Sequence, residues 1–172
     1  REFGLLRTVV STAINEWGIA VDNPLKSFHI KREPDQRLRR LSDDELKRLM
    51  SMECNNPYTK SMILLALETA MRLGELLSIK WSKVDMERGF VELRKTKNGY
   101  GRLVPLTGTA LSVLQDLDRG VDVVFPVKPG TLKQSWVRLV KRAGISDLRF
   151  HDLRHEAISR LLEKGLTIPE AA

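Results

Sequence analysis

Hydrophobic and polar residues change their spacing several times along this chain, and each change marks a different kind of element. Leu6, Val9, Val10, Ala13, Ile14 and Trp17 recur at helical spacing and predict a helix over residues 1 to 17, ended by Gly18. No N-cap residue precedes Arg1, so this helix reads as already under way, and a stripe that wide calls for partner helices. Residues 29 to 40, HIKREPDQRLRR, carry almost nothing apolar and have the composition of a linker. Helical spacing resumes at Leu41-Ser42-Asp43-Asp44-Glu45-Leu46, where Ser42 and Glu45 fit a capping box and Leu41 with Leu46 fits a hydrophobic staple. That helix runs to about Met52. Asn56-Pro57 predicts the next helix start, and from Met62 to Ala70 the pattern is apolar nearly all round, with Glu68 the exception.

The period then shortens. Val84, Phe90, Val91, Leu93, Leu103, Val104 and Leu106 read as strands of a small antiparallel sheet, with turns at Glu87-Arg88-Gly89 and Asn98-Gly99. Helices return over Thr109 to Asp118 and Leu132 to Ala143. The second has a core stripe of Trp136, Val137, Leu139 and Val140 and stops at Gly144. A last helical run holds Leu153, Ala157, Ile158, Leu161 and Leu162, with Gly165 at its end, and Thr167-Ile168-Pro169-Glu170 resembles one more capping box. The fold class expected is mainly α with a small antiparallel β-sheet, that is, α+β. Residues 1–28 read as the last helix of one domain, 29–40 as a basic linker, and 41–172 as a second domain whose final helix begins without a body. The chain is therefore expected to be cut inside that domain.

Charge narrows the class of partner. Lysine and arginine total 29 against 22 acidic residues, for a net charge of +7 and a pI near 9.8, which favours a polyanion, most often nucleic acid. Cys54 is the single cysteine, which excludes an intrachain disulfide framework and fits a reducing compartment. His29, His151 and His155 have no cysteine pairs to join them, so no zinc spacing arises and no metal site is expected. No apolar run reaches the roughly 18 residues of a membrane span. A cytoplasmic protein is expected.

Candidate chemistry concentrates in three places. His151-Asp152-Leu153-Arg154-His155 opens the last helix and sets two histidines and an arginine on one face of its first turn. Helix N–H groups, a planar guanidinium and a group that titrates near neutrality together suit a phosphate held while a proton moves. A basic first turn with histidines satisfied by their neighbours has the same pattern, and spacing alone does not separate the two. Arg72 follows the buried helix and needs an anion; Glu75, three residues on, can orient it or simply pair with it. The hairpin RKTKNGYGRLVPL carries Arg94, Lys95, Lys97 and Arg102 about its tip, suited either to a DNA groove or to edge protection. Arg37, Arg39 and Arg40 of the linker suit tracking a nucleic-acid backbone or a solvated linker equally.

Taken in order, these segments resemble the tyrosine recombinases, the phage-integrase family of site-specific DNA recombinases. Ala70-Met71-Arg72-Leu73-Gly74-Glu75 is similar to the family's Gly-x-Arg-x-x-Glu motif, with alanine where glycine is usual. Lys97, ahead of Val104-Pro105-Leu106, is similar to its hairpin lysine, and His151-Asp152-Leu153-Arg154-His155 to its His-x-Leu-Arg-His motif. The resemblance covers roughly residues 40 to 172, with residues 1–28 like the end of the family's core-binding domain. It implies that Arg72 and Arg154 clamp the scissile phosphate, Glu75 supports the first arginine, Lys97 acts as general acid and His151 as general base. It implies His155 as a supporting contact, no cofactor, double-stranded DNA as partner, and a homo-oligomer, a tetramer on DNA; Lys95, Arg102, Arg37, Arg39 and Arg40 are the DNA contacts expected from their charge. The family's nucleophile is a tyrosine well after the second arginine. Only Tyr58 and Tyr100 are present here and neither fits, so no nucleophile is expected in this chain, and the chain alone is expected to be inactive. A DNA-binding module without strand transfer, such as a decayed integrase or regulator, and an enzyme like the type IB topoisomerases are the competing readings.

Overall fold

The computed structural model describes residues 2–26, 39–93 and 101–167. The Asn98-Gly99 turn, most of the basic linker with Arg37, the hairpin residues Lys95 and Lys97, and the body of the capping box expected at Thr167 lie outside the described residues. The chain divides into two compact units, residues 1–37 and 38–172. In the first, helix α1 spans Glu2–Asn15, and Gly18 with φ +65° turns the chain after it. Its expected apolar stripe is largely open, with Leu6 52% and Val9 56% exposed.

The second unit begins as its sequence demands. Helix α2 (Asp43–Ser51) is closed by the expected capping box: Glu45 N donates to Ser42 Oγ at 3.2 Å, and Ser42 N donates to Glu45 Oε2 at 3.1 Å. Leu41 of the staple is buried and Leu46 packs on the core. Asn56 Oδ1 accepts from Tyr58 N at 2.9 Å and so starts α3 (Tyr58–Thr69). This helix is the spine of the core, with Met62, Ile63, Leu65 and Ala66 all buried. The short helix α4 (Leu73–Leu77) follows. Then β1 (Val84–Asp85), β2 (Phe90–Leu93) and β3 (Arg102–Pro105) form an antiparallel sheet in the order β1-β2-β3. The β2–β3 register pairs Val91 with Val104 and Leu93 with Arg102, which turns Val91, Leu93 and Val104 inward.

Helix α5 (Gly108–Gln115) packs on α3. Thr107 accepts from Ala110 N at 3.2 Å to cap α5 and donates to Glu68 Oε2 at 2.5 Å, giving the one acid of α3 its partner. Helix α6 (Pro129–Arg142) buries Leu132, Trp136, Leu139 and Val140, but Val137 is 57% exposed. Val137 therefore does not belong to the core stripe: the buried set recurs at i, i+4, i+7 and i+8, and Val137 falls one step further round. Helix α7 (Asp152–Glu163) closes the unit against α3 and ends at Gly165, with φ +91°.

Two features of this unit set the placement of α7. Ala70 ends α3 in the left-handed region, at φ 51° and ψ 22°, and its carbonyl accepts a hydrogen bond from Arg154 Nη1 on α7. On the other side of α7, Glu156 is only 2% exposed. It accepts from Arg40 Nε at 2.6 Å, Arg40 Nη2 at 3.2 Å, Leu41 N at 3.1 Å and Arg160 Nε at 2.7 Å. Burial by itself raises the Glu156 pKa, but the hydrogen bonds from Arg40 and Arg160 override it and bring it down to about 2.

Two expectations follow from these features. Alanine at a positive φ carries a cost that glycine escapes, so Ala70→Gly should stabilise the protein by up to about 1 kcal/mol. A urea midpoint raised without a change in slope is the expected result, and a lowered midpoint would contradict it. For Glu156 the folded pKa lies below the unfolded one, so its contribution is present above about pH 4.5 and is lost as pH falls toward 2. That shift corresponds to about 3 kcal/mol. The stability gap between wild type and Glu156→Gln should narrow between about pH 5 and pH 3; a constant gap would show that the ionised carboxylate is not what matters.

Candidate phosphate-binding site

The site is assembled where α3 ends and α7 begins. The left-handed turn at Ala70 lets the chain leave the buried helix and bring Arg72 to the N-cap position of α4. There the Arg72 backbone N donates to Glu75 Oε2 at 2.8 Å, while its Nη1 donates to Glu75 Oε1 at 2.9 Å. The carboxylate thus fixes both the backbone and the side chain of one arginine. Arg102, at the start of β3, donates through Nη2 to the same Glu75 Oε2 at 3.0 Å. Glu75 is 13% exposed, Arg102 30% and Arg72 49%, so the shared acid lies beneath the two cations it orients.

Arg154 comes from the first turn of α7 and is 8% exposed. Burial pushes its pKa below the usual guanidinium range, and Arg72 and then Arg102 push it further down; Glu75 opposes them and does not win. The three guanidinium groups are therefore near enough to feel one another, with positive charge in excess of what Glu75 cancels. An anion placed among them relieves that repulsion. Three planar forks suit the several oxygens of a phosphodiester.

His151 stands at the N-cap position of α7, and its ring meets that of His155 edge to face at 4.8 Å. Burial lowers the His151 pKa first, followed by His155 and Arg154; Asp152 opposes, and Arg72 adds a smaller downward push. At neutral pH its imidazole is therefore uncharged and able to accept a proton. Asp152 itself is 1% exposed and accepts from Arg149 N at 2.8 Å, which pins the approach to the helix.

Of the residues singled out from sequence, Arg72, Glu75, Arg102, His151, Arg154 and His155 come together here. Arg102 joins the arginine cluster rather than standing out at a hairpin tip. Arg39 and Arg40 are engaged elsewhere in the second unit: Arg39 donates to both oxygens of Glu45, at 2.9 and 2.5 Å, and Arg40 pairs with Glu156 and with Glu163 at 2.8 Å. Arg37, Lys95 and Lys97 lie outside the described residues. Glu156 was not anticipated, although it stands between Leu153 and Ala157 in the apolar run of α7, where an acid signals a buried cation partner. Among the described residues no cluster of histidine, cysteine or acidic side chains could hold a metal ion, and no helix is long and apolar enough to cross a membrane.

Comparison with known proteins agrees with this geometry. Residues 39–172 match the phage integrase family. The chain is 38% identical to a shufflon-specific DNA recombinase of Escherichia coli over 174 residues, covering 99% of this chain and 45% of that protein. It is 32% identical to the tyrosine recombinase XerA of Saccharolobus solfataricus, covering 92% of this chain and 57% of that protein. The chain thus spans about half the length of the curated relatives it matches. A solved lambda integrase dimer bound to a COC' core site superposes with a TM-score of 0.75 at 25% identity, covering 97% of this chain and 53% of that one. With its arginine motif, its three-stranded sheet and its His-x-Leu-Arg-His helix all inside the matched span, this chain belongs to the phage integrase family, the tyrosine recombinases.

Proposed function

We propose that this chain carries the phosphate-gripping part of a site-specific DNA recombinase that cuts and rejoins double-stranded DNA through a 3′-phosphotyrosine. The observation that carries this reading is the pairing of Arg72 and Arg102 on the one carboxylate of Glu75, with Arg154 held on the Ala70 carbonyl close by and neutral His151 beside them. The names of its relatives point the same way: one is a shufflon-specific DNA recombinase, and lambda integrase is seen bound to a core site.

In this reading Arg72 and Arg154 hold the non-bridging oxygens of the scissile phosphate and take up the extra charge of the pentavalent transition state. Glu75 keeps Arg72 aimed. A tyrosine hydroxyl attacks phosphorus; the new bond joins tyrosine oxygen to phosphorus, and the bond to the 5′ oxygen breaks. His151 takes the tyrosine proton, and Lys97 gives a proton to the leaving 5′ oxygen. The phosphotyrosine conserves the bond for rejoining, so the reaction needs no metal or nucleotide. Residues 1–28 would be the end of a core-binding domain, and the working assembly a homo-oligomer, a tetramer on DNA.

Tyr58 is not the attacking residue. It begins α3, and the arginine site lies past the other end of that helix, about 18 Å away at 1.5 Å per residue. Its ring packs on Phe125, centroids 6.1 Å apart.

Binding and chemistry are tested separately. Affinity for duplex DNA should fall steeply with salt, and Arg72→Ala should reduce the slope of log affinity against log salt by about one, the share of one phosphate contact. A slope equal to wild type would remove Arg72 from the DNA surface. For chemistry, the full encoded protein incubated with a nicked suicide duplex should give a denaturation-resistant adduct that Tyr58→Phe leaves intact. Arg72→Lys keeps the charge but loses the fork and should slow adduct formation roughly a hundredfold. An adduct mapped to Tyr58, or full activity in Arg72→Lys, would overturn the assignment.

A further inference from the structure

Asp152 and Glu156 stand one turn apart on α7: Asp152 accepts from Arg149 N just ahead of the helix, and Glu156 faces residues 40 and 41, while Arg154 points to the other side of the helix, about 200° round from Glu156. Both carboxylates are buried, at 1% and 2% exposure. Glu156 takes Arg40 through two nitrogens and the Leu41 backbone N as well, so side chain and backbone of the same segment end on one carboxylate. Arg40 reaches on to Glu163, the last residue of α7. Arg39 is held by the α2 capping acid Glu45. The start of the second unit is thereby laced along the length of α7, whose opposite side holds Arg154 against the Ala70 carbonyl.

We propose that Glu156 is a positioning residue: through its ion pair with Arg40 it ties the place where the linker enters the second unit to the placement of α7, and so to the presentation of Arg154 and His151. The proposal rests on the reading of those two residues as the phosphate-facing groups. It gives the linker a direct mechanical route to the site. Arg40 is bonded to Glu156, and Glu156 lies two residues from Arg154 on the same helix.

The test has two arms. In the 172-residue chain, the His151 imidazole is titrated by NMR in wild type, Glu156→Gln, Arg40→Gln and the double variant, with thermal unfolding recorded for each. Arg40 is 49% exposed, so Arg40→Gln keeps the fold if Glu156→Gln does not. Burial is the largest influence on the His151 pKa, ahead of His155 and Arg154; the two single variants remove charges of opposite sign, so a shift in the same direction in both reports geometry rather than direct charge. Release of the ion pair should bring the His151 pKa up toward its ordinary value in both single variants, with the double variant no further displaced than Glu156→Gln. In the full encoded protein the same variants should slow single-turnover cleavage roughly tenfold to a hundredfold with DNA affinity within about twofold of wild type. Variants that unfold more easily yet keep the wild-type His151 titration would make the cluster a structural clamp only and overturn the proposal. If wild type forms no adduct at all, the recombinase reading fails, and the imidazole titration still decides whether Glu156 positions α7.

Discussion

Placing three guanidinium groups within each other's field, one of them more than nine-tenths buried, is the constraint on which the rest of this domain depends. Like charges in a partly desolvated space repel, and burial first, then Arg72 and Arg102, hold the Arg154 pKa below the usual guanidinium range. The fold tolerates it through Glu75, which accepts from the Arg72 backbone, the Arg72 side chain and Arg102 at 2.8 to 3.0 Å. One carboxylate is enough to orient the cluster and too little to neutralise it. In the function proposed above, the residual positive field makes the site receptive to a phosphodiester, whose charge meets cations that are already assembled.

The elements around the cluster serve to hold its members still. Arg72 leaves the end of a helix whose side chains are buried on nearly every face, Arg102 is in register with Leu93 in a sheet seated on the same core, and Arg154 is fixed to the Ala70 carbonyl. The left-handed Ala70 is where these meet, since it both aims Arg72 and offers its oxygen to Arg154. A strained residue between two site arginines is the kind of local cost that proteins retain where geometry must be set. The acidic back of α7 completes the grip from the opposite side through Arg40 and Leu41.

Much of this was readable in the chain because the relevant signals are local. The Ser42–Glu45 capping box, the all-round apolar α3, the Glu87-Arg88-Gly89 turn and the glycine stops at 144 and 165 depend on near neighbours, and the structure has them where the spacing puts them. Arg72, Glu75, His151 and Arg154 could be picked out because each is a polar residue at a boundary where a buried element ends. Pairings across more than a hundred residues were not readable. Arg40 reads as a solvated linker charge until Glu156, 116 positions on, is folded against it. Val137 reads as core because it lies in an apolar cluster, and only the angle at which α6 meets the core leaves it outside. Arg102 reads as a tip residue because its strand begins beside a turn, although the register with β2 carries it back to Glu75.

The most direct measurement of the central claim is a crystal structure of this chain with a short DNA duplex. The account predicts one backbone phosphate with its non-bridging oxygens about 3 Å from the guanidinium nitrogens of Arg72 and Arg154, and with His151 on the side from which a nucleophile would approach. Glu75 should keep its bonds to Arg72 and Arg102 in that complex. DNA seated on another face, with the three arginines still facing solvent or one another, would contradict it.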